Sequence, residues 1–85
     1  MFVDIKLNSL EDVKDLNKVA CEQPFSLHVS AGHQTIDARS ILALIALMGK
    51  TNLRLVAPDH LSFDKFNEII SQIWCYFVFN HFNAN

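Results

Sequence analysis

Hydrophobic positions along this chain switch between two periods, and each switch marks an element. Phe2 to Leu7 alternates, with Val3, Ile5 and Leu7 on one side and Asp4 and Lys6 on the other, so a half-buried strand is expected. Asn8-Ser9 then offers a helix N-cap. Ser9-Leu10-Glu11-Asp12 has capping-box spacing, with Asp in place of the usual Glu. Leu10, Val13, Leu16 and Ala20 follow at helical intervals, and the helix must stop before Pro24. Phe25, Leu27 and Val29 alternate with Ser26, His28 and Ser30 as a second strand. A tight turn at Ala31-Gly32 leads to a short third strand, Gln34 to Asp37.

Asp37 is placed to cap a second helix running from near Ala38 to Gly49, with the glycine as its C-cap. Leu53 and Leu55 mark a fourth strand closed by Pro58. Ser62 is placed to cap a last helix, on which Phe63, Phe66, Ile70, Ile73 and Phe77 recur at three- and four-residue steps. The order β-α-β-β-α-β-α predicts an α+β open-faced sandwich, a four-stranded antiparallel sheet with three helices on one face. The second helix raises a question. Ile41 to Met48 is apolar throughout, more than one face of a small domain needs. Ile41, Leu44, Ile45 and Met48 would form one stripe, leaving Leu42 and Ala46 on another side and Ala43 and Leu47 between them.

The 85 residues, 51% of them hydrophobic, suit one domain over 1–85, with 75–85 an aromatic C-terminal extension. A net charge of −2 gives no footprint for nucleic acid. The apolar run of the second helix is far short of the roughly 20 residues that cross a bilayer. The start Met1-Phe2-Val3-Asp4 has no signal-peptide pattern, so a cytoplasmic protein is expected, with Cys21 and Cys75 as reduced, buried thiols.

With this element order, Asp37-Ala38-Arg39-Ser40-Ile41-Leu42 resembles the histidine-containing phosphocarrier (HPr) family of the sugar phosphotransferase system. That family begins its second helix with a charged residue, serine and two aliphatics. Leu44 and Leu47 continue the pattern, whereas Met48 departs from it, with Gly49 one place late. The resemblance reaches about Trp74. It implies an open-faced sandwich, a regulatory phosphorylation site at Ser40, and a protein-docking surface on the second helix and the adjoining start of the first. The family's chemistry needs a glycine, an aliphatic, the phosphoacceptor histidine and, two residues on, an arginine where the first strand meets the first helix. This chain has Asn8-Ser9-Leu10-Glu11-Asp12-Val13 there, with neither histidine nor arginine. Glu11 and Asp12 favour the helix dipole but repel an incoming phosphate.

The expectation is therefore an HPr-like binding or regulatory protein without phosphocarrier activity and not an enzyme. It would act on protein partners such as phosphotransferase components or a transcriptional regulator, or on a second copy of itself, and not on nucleic acid or membrane. Two alternatives stand beside it: a working phosphocarrier with a non-standard acceptor, and a structural oligomerisation module. Ser40 is the regulatory candidate, against the plainer role of capping its helix. Ile41, Ile45, Leu47 and Met48 are the partner-contact candidates, and no catalytic residue, metal ligand or cofactor is expected. His28 and His33 would sit diagonally on one hairpin face, too few for a closed zinc site, and with His60 and His81 read best as surface residues. Asp4, Glu11, Asp12 and Asp15 read as solvated carboxylates. Cys75 to Phe79 would prolong the last helix, leaving an aromatic tail to pack on the body or join a second chain.

Overall fold

The computed structural model describes residues 1–73 and the short strand Phe82–Asn83. In chain order the elements are β1 (Phe2–Ile5), α1 (Leu10–Cys21), β2 (His28–Ala31), β3 (Gln34–Asp37), α2 (Ile41–Ala46), β4 (Leu53–Val56), α3 (Phe63–Ile73) and β5 (Phe82–Asn83). Every strand pair is antiparallel, and the sheet order is β3-β2-β4-β1-β5. The fold is the expected α+β open sheet with three helices, and the two-residue β5 adds a strand beside β1. Cys75, Phe77 and His81, and the expected helical extension through Phe79, lie outside the described residues.

Register divides the sheet into two faces. Val3, Leu55, Val29 and Ile36 form one cross-sheet row, and Ile5, Leu53 and Ala31 lie in another on the same side. Val3, Val29, Leu53 and Leu55 are fully buried, in one core with Val13 and Leu16 of α1, Leu44 of α2, and Phe66, Ile69 and Ile73 of α3. Phe2, Asp4, His28, Ser30, Arg54 and Val56 point the other way and remain at least partly exposed. Strand alternation thus puts the apolar row against the helices and leaves the opposite face open.

Topology places the helices. β1 and β2 both pair with β4, so the connection through α1 passes over β4 and α1 lies in the middle of the helical layer. It contacts both α2 and α3. The edge strand β3 feeds α2, which packs against β3 and α1. Among the described residues no helix is long and apolar enough to cross a membrane.

Three sequence expectations shift. The hairpin turn is Gly32-His33, with Ala31 opposite Gln34 and His28 opposite Asp37. Gly32 takes φ +63° while His33 keeps a negative φ, which suits a turn with glycine at its first central position. His28 and His33 therefore do not share a face diagonally: His33 is at the turn tip. The second helix is six residues, not twelve. It starts late because Asp37 makes a turn of the preceding segment, its Oδ1 accepting from the Arg39 N–H (2.9 Å) and its carbonyl from the Ser40 N–H (3.0 Å). It ends early because the chain passes into turns, with the Leu47 N–H on the Leu44 carbonyl and the Met48 N–H on the Ile45 carbonyl. Cys21 is exposed, where a buried thiol was expected.

Caps follow the sequence more closely. Ser9 is extended (φ −147°) and its Oγ accepts from the Asp12 N–H at 3.2 Å, while the Asp12 carboxylate reaches back to the backbone. Ser62 Oγ accepts from the Lys65 N–H at 3.1 Å at the start of α3. Ser9→Ala should lower unfolding stability by about 1 kcal/mol in urea titration, with the native fold retained.

Candidate functional site

The junction of β1 with α1 is where the HPr resemblance requires a phosphoacceptor. Asp12 fills it with an internal anion. Its Oδ2 accepts from the Asn8 N–H at 2.8 Å and the Ser9 N–H at 3.2 Å, and the residue is 6% exposed. Sequence reading took Asp12 for a solvated carboxylate. The structure corrects this, because the capping box folds the side chain back onto its own backbone. Two N–H groups leading into the helix are thereby engaged by a carboxylate, and the Asp12 N–H by the Ser9 hydroxyl.

The second region is α2 with the turn before it. Asn17, in the middle of α1, donates from Nδ2 to the carbonyls of Ala38 (3.2 Å) and Arg39 (2.9 Å). The Gly49 N–H donates to the Leu7 carbonyl at 3.0 Å. These bonds fix both ends of the α2 segment against α1 and its entry. Ser40 is the N-cap residue rather than a first-turn residue. It is extended (φ −89°), exposed, and makes no side-chain cap bond. Its neighbour Arg39 donates from Nη2 to Asp37 Oδ2 (3.0 Å) and to Ser26 Oγ (2.6 Å), and from Nε to Asp37 Oδ1 (3.2 Å).

The partner-contact candidates separate by face. Leu47 is buried in the core beside Leu44, so it is withdrawn as a surface contact. Ile45 is half-buried against the core. Ile41 and Met48 are each 37% exposed, and Leu42, not among the sequence candidates, is 77% exposed. The apolar run thus covers the core with Leu44 and Leu47 and turns Leu42 to solvent. Helices 1 and 3 do not flank α2, since α1 holds the middle place. Leu10, at the first turn of α1, is exposed as well.

The remaining candidates are scattered. His28 is half-buried on the open sheet face, and His33 and His60 are exposed. Among the described residues no three His, Cys, Asp or Glu side chains group where they could hold a metal ion. Burial pushes the Asp15 carboxyl above its ordinary value, with Asp12 adding to this and Lys18 opposing it. Asp37 moves the other way. Hydrogen bonds from the Arg39 side chain and then its backbone hold the Asp37 carboxyl below its ordinary value.

Two measurements follow from this geometry. Leu44→Ala should cost about 2–5 kcal/mol of stability, whereas Leu42→Glu should stay within about 0.5 kcal/mol, both read by urea unfolding. Folded Asp37 binds its proton less readily than the unfolded chain, so its contribution is complete above the unfolded pKa. It is lost as pH falls through the lower folded value. Arg39→Gln should raise the Asp37 carboxyl titration, followed by carbon NMR, toward its ordinary value and flatten that part of the acid unfolding profile.

No family model, curated protein or solved structure matches the chain.

Proposed function

We propose that this chain is an HPr-like protein of the phosphotransferase family type that binds a protein partner instead of carrying phosphate. The supporting observation is the Asp12 carboxylate, held by the Asn8 and Ser9 N–H groups at the position the family reserves for its phosphoacceptor. A phosphoryl donor approaching there meets a fixed negative charge instead of a nucleophilic imidazole, and the two anions repel.

The contact surface in this reading is built on the α2 segment, with Leu42, Ile41 and Met48 exposed. An apolar patch rimmed by polar residues favours a protein contact. The partner is a phosphotransferase component or a transcriptional regulator. Ser40 is its regulatory residue: a phosphate there would set a dianion beside Ile41 and Leu42, and desolvating it in an apolar contact would weaken binding.

Incubation with phosphoenolpyruvate and the general phosphotransferase enzyme tests the reading. Intact-mass analysis should find no phosphoryl group on this chain while an ordinary phosphocarrier is modified in the same mixture. Stoichiometric phosphohistidine at any of the four histidines would overturn it.

A further inference from the structure

The open face of the sheet is not used by the reading above. Arg54 lies on β4, flanked in register by Asp4 on β1 and Ser30 on β2, all three pointing away from the helices. Its Nε is 3.5 Å from Asp4 Oδ1, and its Cζ lies 4.6 Å from the centroid of the Phe2 ring. The guanidinium is therefore restrained from the side by a carboxylate and from below by an aromatic face. Its side chain is nevertheless 56% exposed, so part of it remains open to a ligand. Beside it is a cleft of about 370 Å³ lined by Asp4, Ser30, Gly32, Asn52 and Arg54, with Ile5 and Leu53. Gly32 (φ +63°) and Asn52 (φ +61°) turn the chain at one end of the sheet and form the rim.

We propose that this cleft binds a small polar α-amino acid, with its carboxylate on Arg54 and its ammonium on Asp4. A guanidinium matches a carboxylate through paired N–H donors, and restraint before binding reduces the ordering cost. The neighbouring Asp4 disfavours a phosphate or a plain carboxylate, because such a ligand would gain Arg54 and meet a like charge. A ligand carrying ammonium and carboxylate on the same carbon answers both groups at once. Ser30 Oγ and the Asn52 side-chain amide supply a donor and acceptors for a polar ligand side chain, and the cleft has no large apolar wall to select an aliphatic one. This inference is independent of the α2 surface.

The test is amide NMR of the full chain titrated with L-serine and L-glutamine, with acetate and methylammonium as single-charge probes. At least one amino acid should give saturable shifts at Ser30, Gly32, Asn52 and Arg54 in the millimolar range, well beyond either single-charge probe. Arg54→Gln should abolish them. Asp4→Asn should abolish the amino-acid response and strengthen that to acetate, a reversal that a merely structural role for Asp4 would not produce. Should Arg54→Gln fail to fold, Arg54→Lys keeps the charge but loses the planar fork and should weaken binding several-fold. Absence of saturable shifts with both amino acids, equal shifts with acetate, or retained binding in a folded Arg54→Gln chain would overturn the proposal.

Discussion

The placement of β4 between β1 and β2 controls most of what else is seen. Because β1 and β2 are not neighbours, the chain joining them must cross a strand, and α1 makes that crossing. The central helix buries Val13, Leu16, Val19 and Ala20, and both other helices pack on its sides. The helix fed by the edge strand has only β3 beneath it and α1 beside it. Its third side has no partner among the described elements. The exposure of Leu42 is a consequence of topology, not of local composition.

Charges in this small domain are largely spent on local geometry. Asp12 closes the N-terminus of α1, Asp37 makes the turn before α2 and orients Arg39, and Asp4 and Phe2 position Arg54. Each partner is near in sequence or on the neighbouring strand, directly opposite for Asp4 and diagonal for Phe2. Surface ion pairs of this kind add little stability, typically under about 1 kcal/mol. Their effect here is on where the chain turns and which side chains are held still. Asp12 is the clearest case, since the interaction that starts a helix also occupies the place where the family resemblance would put chemistry.

What the sequence made legible divides along the same line. The Ser9–Asp12 box and the Ser62 cap were readable because they rest on three-residue spacing, and the strands because Val3, Ile5, Leu53 and Leu55 alternate with charged or polar residues. The hairpin register was read two residues out, since a glycine serves either central position of a tight turn and only the cross-strand pairing decides. The late start of α2 is hidden because Asp37 has the pattern of a helix cap, whereas its carboxylate stops at Arg39, two residues on. The anchoring of that turn by Asn17 spans more than twenty residues and has no local signal. The orientation of α2 is illegible for a simple reason: helical spacing separates Leu42 from Leu44, but with eight apolar residues in a row both sides are apolar and nothing local says which one meets the core. At the candidate site the missing histidine and arginine were plain, but the burial of Asp12 was not, because a carboxylate in a first turn is usually solvated.

That last point bears on how the start of the central helix is held by the chain's own groups. The family motif would place its reactive side chain at a helix start, where unpaired N–H groups and the dipole favour an anion. Replacing it by residues that neither charge nor cap would leave those donors unsatisfied at the base of the central helix. Here Asp12 supplies the anion and Ser9 a neutral hydroxyl acceptor, both from the chain itself, so the start of α1 is closed above the core. The apolar residues of α2 divide between two roles: Leu44 and Leu47 are buried in the core, whereas Leu42 is not part of it. Leu42 is 77% exposed because α2 packs only on β3 and α1 among the described elements, so the topology that buries Leu44 and Leu47 turns Leu42 to solvent.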